Sequence, residues 1–408
     1  MNKTADINDI RKLFPALEQS VNSKKLVYLD NGATAQKPQQ VTDLVNLMNS
    51  GINGNIHRAV HELSSKTTEL YENSREEVRL FLNAAHREEI IFTSGTTAAI
   101  NLVAASFGDK FLKRGDAVLI SEAEHHSNIV PWQLICEKKG ALLKVLPVDD
   151  SGHWRMDMLD ALLDENVKIV SVSHVSNVLG LINPVEELIS MAHSRGIPVM
   201  VDGAQSVVHL NIDVQKMDCD FFVFSGHKLY GPTGTGVLYG KRELLEEMPP
   251  WMGGGDMVET VTFEKTTYAP LPLKFEAGTP NFIGAAALAR AVMFVNSLDK
   301  EFTQKQEHAV VNFMVEELSK IEGLKLYGTQ GDRISLFSFT IDGIHPADLA
   351  MIMDKMGIAL RSGQMCAEPL MRRYGVEAML RASFAVYNTL EEAEYFITSL
   401  KRAIKMLS

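Results

Sequence analysis

Phe224-Ser225-Gly226-His227-Lys228-Leu229-Tyr230-Gly231-Pro232 ends an apolar run that begins at Phe221, and it leads into a turn containing Gly234 and Gly236. A lysine at the end of such a run, set among Ser, Gly and His, is poorly explained as a solvated surface charge. Withdrawing its amine from water lowers its pKa and suits it to attack a carbonyl. Ser225 and His227 stand close enough in the chain to hold an anion beside it. Taken alone, the segment also fits an ordinary Gly-rich turn with a snorkelling lysine. Its neighbours decide between the two.

Upstream, from about residue 87 to 240, short apolar runs alternate with helical patterns, which predicts an α/β domain with a mostly parallel sheet. Ala117 to Ile120, Val167 to Val172 and Pro198 to Val201 read as buried strands. Between the last two, Asn183 is expected to cap a helix with Pro184 at its first position and Glu186 at its third; Val185, Leu188, Ile189 and Ala192 form its apolar stripe. Ligands of such sheets collect beyond the carboxyl ends of the strands. That singles out Glu124-His125-His126, His174 to Asn177 and Asp202 to Gln205. Downstream, Val258 to Phe263 and Thr266 to Tyr268 read as a short hairpin, followed by a long helix over Ala291 to Leu318 with a break near Asp299. A strand over Ser335 to Ile341 and a final helix near Glu391 to Met406 complete an α+β region. The expected division is a large domain over residues 23–290 and a smaller one formed by residues 1–22 and 291–408.

A chain of 408 residues is long enough for two such domains and a large buried site between them. The formal net charge is -11 and no basic block occurs, so nucleic acid is a poor candidate partner. The polar start Met1-Asn2-Lys3-Thr4-Ala5-Asp6 does not resemble a signal peptide, and no apolar run approaches the roughly 20 residues of a bilayer span. A cytoplasmic protein that does not engage membranes is expected. Three cysteines, Cys136, Cys219 and Cys366, are too scattered for a disulfide framework or a closed zinc site. Cys136 and Cys219 adjoin apolar runs and read as small core residues.

Val199-Met200-Val201-Asp202 is a second signal, a buried strand ending in an acid that can hold a ring nitrogen in its protonated form. In isolation a helix cap or turn aspartate explains it equally well. A third, Thr93-Ser94-Gly95-Thr96-Thr97, opens a helix after Ile90-Ile91-Phe92, where free N–H groups and hydroxyls meet. His125 can stack on a flat ring. A histidine pair is more often structural or metal-related, but no third ligand at zinc-like spacing lies nearby, and no metal site is expected. An acid for a ring nitrogen, a lysine for an aldehyde and donors for a phosphate are together what pyridoxal 5'-phosphate (PLP) requires.

Asp202-Gly203-Ala204-Gln205, Ser225-Gly226-His227-Lys228, Glu124-His125-His126 and Arg361-Ser362-Gly363-Gln364-Met365-Cys366-Ala367-Glu368-Pro369-Leu370 resemble the cysteine desulfurases, specifically the SufS-type (group II) branch of the class V aminotransferase family. The likeness runs from Tyr28-Leu29-Asp30-Asn31-Gly32-Ala33 to the C-terminal helix. It implies a fold-type I PLP-dependent transferase that converts L-cysteine to L-alanine. By the same resemblance Lys228 is the Schiff-base lysine, His125 stacks on the ring and assists proton transfer, Asp202 pairs with the ring nitrogen and Gln205 meets the ring hydroxyl. Thr97, Ser225 and His227 would hold the phosphate, with Thr279 reaching in from the second subunit of a homodimer. Asn177, Arg361, Arg381 and His57 match substrate-pocket positions, and an arginine fork suits a carboxylate.

The resemblance also makes Cys366 the nucleophile that takes the sulfur as a persulfide and passes it to an acceptor protein of the SufE or SufU kind for iron-sulfur cluster assembly. Ser362-Gly363 and Pro369 describe a short constrained loop around it, and Arg361 is expected to favour its thiolate. Gln364-Met365 departs from the branch, which commonly carries two histidines there. Selenocysteine lyase is the nearest alternative, with L-selenocysteine as substrate. A non-catalytic scaffold for sulfur-transfer proteins would be expected to have lost Lys228, Asp202 or Cys366, and all three are present.

Overall fold

The structure is a computed structural model that describes residues 6–57 and 60–407. Its centre is a seven-stranded sheet of β1 (Ile90–Thr93), β2 (Ala117–Ser121), β3 (Leu142–Leu146), β4 (Val167–Ser173), β5 (Val199–Asp202), β6 (Phe221–Ser225) and β7 (Gly236–Gly240). Their order is β1-β7-β6-β5-β4-β2-β3. Only β7 runs against its neighbours. The continuous apolar runs read from the sequence are these strands. β2, β5, β6 and β7 are buried along their whole length because helices cover both faces, which is why they do not alternate polar with apolar.

One side of the sheet packs on the helix over Val185–His193 through Val185, Leu188 and Ala192. The other packs on the helices over Thr96–Phe111 and Val130–Lys139 through Ile100, Val103, Trp132 and Ile135. The Val185–His193 helix has the predicted stripe, but Asn183 does not cap it. Its side chain turns back to donate to the Ser173 carbonyl at 2.8 Å, so that it ties the end of β4 to the loop that follows.

The predicted hairpin is present as β8 (Val258–Val261) and β9 (Thr266–Tyr268), paired antiparallel. The helix expected from Ala291 begins earlier. It covers Phe282–Ser297, breaks at Leu298 and resumes over Lys300–Ser319 with Asp299 as its cap, the Asp299 side chain accepting from the Phe302 N–H at 3.0 Å. Residues 284–289 are all small or apolar and all buried, so the first half of this helix lacks the polar face that would have marked it. It runs across the expected division at residue 290.

A second sheet contains β10 (Leu324–Leu326), β11 (Leu336–Ile341), β12 (Arg361–Gly363) and β13 (Met379–Ser383) in the order β10-β11-β13-β12, all antiparallel. Phe337, Phe339 and Leu380 of this sheet pack against Met314 and Phe396 of the flanking helices. Val27–Tyr28 pairs in parallel with Ile358–Ala359, and Val27 and Leu29 join the same core. This strip of the N-terminal chain therefore packs with the C-terminal sheet, although the expected boundary put it in the large domain. No helix among the described residues is long and apolar enough to cross a membrane.

Candidate active site

A cavity of about 280 Å³ opens where the carboxyl ends of the central strands face β12 and β13. Lys228 follows β6 and lines it. Among the described residues its Nζ has no hydrogen-bond or ion-pair partner. Burial brings its ammonium down to about 8, with Arg381 adding to the effect and Asp202 and Cys366 opposing it. A half-buried amine held in this range and left without an acceptor is suited to carbonyl chemistry near neutral pH.

Asp202 ends β5 in the same cavity. One of its oxygens accepts the Ala204 N–H at 2.9 Å. Burial nonetheless raises the carboxyl above its ordinary value, against that bond and the charge of Lys228. Such a carboxyl wants a cationic N–H partner. Gln205 commits its amide nitrogen to the Gly32 carbonyl at 2.9 Å, which leaves its oxygen for the cavity it lines.

Ser225, Thr96, Thr97 and His227 form one end of the cavity. The Ser225 hydroxyl accepts the Thr96 N–H at 2.8 Å and shares a second bond of 2.8 Å with the Thr96 hydroxyl. This contact ties the end of β6 to the helix start at Gly95, and the neighbouring β7 also approaches closely there: a Cβ on Gly236 would lie 2.4 Å from the Gly95 Cα. Gly95 has φ +148°, a backbone shape other residues rarely adopt. Burial, then the charges of Lys228 and Lys37, bring the His227 ring down to about 4, so it is a neutral imidazole. The end therefore offers hydroxyls, an imidazole and a helix N-terminus, a donor set that suits a phosphate.

His125 follows β2 and lines the cavity, with Nδ1 bonded to the Ser127 hydroxyl at 2.8 Å. Burial, then Lys228 and His126, bring its ring down to about 4. Behind it Glu124 is fully enclosed. Its carboxyl accepts from the Ser121 hydroxyl, the Ser173 N–H at 3.0 Å and the Asn128 amide at 2.8 Å. Burial still pushes it up to about 7, the three donors notwithstanding, and the charge of Asp202 adds to the rise. No role was assigned to Glu124 from the sequence; a carboxylate between two histidines and a strand end was the signal available.

Arg381 and Arg361 face each other in register on β13 and β12. Like charges so placed repel. Asp30 resolves this by accepting both Arg361 nitrogens, at 2.7 and 3.2 Å, with an Arg381 nitrogen 3.6 Å away. Arg361 is thus paired with Asp30, and the charge of Cys366 adds a smaller attraction. Arg381 donates Nη1 to the Asn177 carbonyl at 2.8 Å, and its buried Nε has no acceptor. Arg381 lines the cavity, and its planar guanidinium fits an incoming carboxylate.

Cys366 is exposed and lines the cavity mouth. The Ala367 N–H donates to the Gln364 carbonyl at 3.0 Å, closing a four-residue turn whose two central residues, Met365 and Cys366, have φ of +53° and +54°. Turns of that shape favour Gly and Asn, and each side-chain-bearing residue held there costs about 1–2 kcal/mol. Outside contacts hold it. The Asn177 amide donates to the Met365 carbonyl at 2.8 Å, and the His126 N–H donates to the Cys366 carbonyl at 2.7 Å. Met365 is buried under the turn.

Two predicted site residues stand apart from this cavity in the single chain. His57 bonds Glu72 at 3.1 Å, and Thr279 is exposed; neither lines the cavity. Thr279 follows Glu276, whose carboxylate is clamped by Arg75 at 2.8 and 2.9 Å and by the Tyr71 hydroxyl at 2.7 Å, a fully buried cluster that fixes this stretch of chain.

The family model described as Aminotransferase class-V matches residues 27–396. This chain belongs to the class-V aminotransferase family. Within that family it is 49% identical over 397 residues to a cysteine desulfurase of Synechococcus elongatus, covering 97% of this chain and 63% of that one. It is 45% identical over 405 residues to a cysteine desulfurase of Salmonella agona, covering 99% of this chain and all of that one. The solved structure of the cysteine desulfurase CsdA from Escherichia coli superposes with a TM-score of 0.92 at 39% identity, over 99% of this chain and 100% of that chain. The chain spans less than two thirds of the length of several curated relatives, 63%, 58% and 65% for three of them. The class-V fold is of fold-type I, with the mostly parallel sheet described above.

Proposed function

We propose that the protein is a PLP-dependent cysteine desulfurase that converts L-cysteine to L-alanine and holds the sulfur as a persulfide on Cys366. The observation that carries this reading is the convergence on one cavity of a partnerless half-buried lysine, a buried carboxyl without a salt-bridge partner among the described residues, an arginine and an exposed cysteine on a strained turn. An aminotransferase would need the first three and has no use for the fourth.

Lys228 would hold PLP covalently, Asp202 would pair with its ring nitrogen, Gln205 would meet its ring hydroxyl, His125 would stack on the ring, and Thr97, Ser225 and His227 would hold the phosphate. Bound PLP supplies an electron sink for the bonds at the substrate α-carbon. Arg381, with Asn177 behind it, takes the substrate carboxylate, and Arg361 with Asp30 keeps Arg381 in place. Lys228 Nζ, with no hydrogen-bond or ion-pair partner among the described residues, would carry the α-proton. The Cys366 thiolate then attacks the substrate sulfur: the new S–S bond forms, the C–S bond breaks with its electron pair left on the carbon fragment, and that fragment leaves as alanine after gaining protons. Cysteine plus enzyme thiol thus becomes alanine plus enzyme persulfide. Thr279 serves a neighbouring subunit's site in a homodimer, which accounts for its lying outside the cavity of its own chain. The persulfide passes to a sulfur-acceptor protein of the SufE or SufU kind in iron-sulfur cluster assembly.

The test is incubation of the PLP-loaded protein with cysteine, without reductant and without oxygen. One alanine per active site and a one-sulfur mass increase on the peptide containing Cys366 are expected. Transamination products without a sulfur adduct would overturn the reading. Asp202→Asn should keep PLP bound and lose roughly 10²- to 10³-fold in rate, the usual size of losing one charge-stabilising group. Turnover of that variant within a few-fold of wild type would remove Asp202 from the mechanism.

A further inference from the structure

His126, the second histidine of the pair, lies behind the cavity wall that His125 forms, its ring tilted against the His125 ring with centroids 6.3 Å apart, and its hydrogen bonds are made to the cysteine turn and the helix after it. Its backbone N–H donates to the Cys366 carbonyl at 2.7 Å. Its ring Nε2 accepts the Glu368 N–H at 3.1 Å. Glu368 is the first residue of the helix over Glu368–Tyr374, and the residue at the capping position, Ala367, has no side chain able to cap it. A helix start leaves its first N–H groups without intrahelical acceptors. Here the missing acceptor comes from His126, more than two hundred residues away in the chain, and one residue therefore grips the cysteine turn on both sides. An amide can donate only to a ring nitrogen that keeps its lone pair, so the bond specifies the neutral ring with Nε2 unprotonated.

We infer that His126 is a positioning residue for the nucleophile: by capping the helix that follows Cys366, its imidazole holds the left-handed turn at the distance from the cavity that sulfur transfer requires. The inference rests on the proposed role of Cys366. Met365 and Cys366 both sit at positive φ, so the turn reverts to a commoner backbone shape unless it is held. The Asn177 bond to Met365 holds the near side and the backbone bond from His126 the centre. Among the described residues the His126 ring is the one side chain that hydrogen-bonds the far side of the turn. It makes no hydrogen bond to Lys228, Asp202 or the phosphate end, and the His125 ring that it touches is held independently by Ser127, so its loss should leave cofactor chemistry intact.

The experiment compares PLP-loaded wild type, His126→Ala and His126→Gln. Gln can place an acceptor oxygen near the position of Nε2 without being an imidazole. In His126→Ala the PLP absorbance and the spectral change on adding cysteine, with its apparent dissociation constant, should match wild type. The single-turnover rate of persulfide formation on Cys366 should fall about tenfold or more, as expected for misplaced reacting groups. His126→Gln should recover most of that rate. Equal persulfide rates in His126→Ala and wild type would overturn the inference. So would a loss of PLP or cysteine binding in parallel with the rate, since that marks a general structural role, or a failure of Gln to restore any rate. Absence of persulfide from Cys366 in wild type is a different result, and it would instead remove the role proposed for the cysteine.

Discussion

Lys228→Ala should lose at least about 10⁴-fold in turnover, the upper range for a single proton-transfer group, because it also removes the covalent anchor of the cofactor. The reason lies in the cavity. Lys228 is the amine among the lining residues that has no acceptor, and burial together with Arg381 holds it near 8, where a useful fraction is unprotonated at neutral pH. Borohydride reduction of the wild-type holoenzyme should fix the phosphopyridoxyl group to the peptide containing Lys228. Lys228→Ala should still fold and should release PLP on gel filtration in the presence of a competing amine. A reduced adduct on a different lysine, or turnover within tenfold of wild type, would remove Lys228 from its assigned place.

Cys366→Ala should abolish persulfide formation, and desulfuration with cysteine should fall by about 10³-fold or more, since no other thiol can take its part. Cys136 and Cys219 are both buried. Burial pushes the Cys136 thiol up to about 11 and raises Cys219 further still, so neither supplies thiolate at neutral pH. PLP binding and the spectral response to cysteine should survive, because Cys366 belongs to a turn carried by the second sheet while Lys228, Asp202 and Ser225 come from the first. Mass spectrometry decides the matter: a sulfur adduct on Cys136 or Cys219, or an equal adduct in wild type and Cys366→Ala, would show that the sulfur goes elsewhere.

The parts of this site that could be read in the chain are those whose signal is local. β5 and β6 are continuous apolar runs, and Asp202 and Lys228 stand at or just beyond their carboxyl ends, so strand position and chemistry coincide within a few residues. The break at Leu298 could be read because Asp299 is a helix cap. The start of the same helix at Phe282 could not, because residues 284–289 are all buried and so show no amphipathic period. Asn183 was misread as a cap because its composition fits one, whereas its side chain is drawn to the end of β4, ten residues back in the chain.

The central sheet, the residues at its strand ends and the chemical kinds gathered there are legible in the chain alone, because strand burial and the placing of acid, phosphate donors and lysine are written in runs of a few residues. Tertiary structure alone decided how those groups are constrained. Asp30 neutralises Arg361 across 331 positions of chain. Asn177 and His126 hold the Cys366 turn in a backbone shape its own residues disfavour. Thr279 and His57 lie outside the cavity of their own chain. Each of these depends on which distant segments pack together, and pairings between segments far apart in the chain leave no periodic trace in either segment.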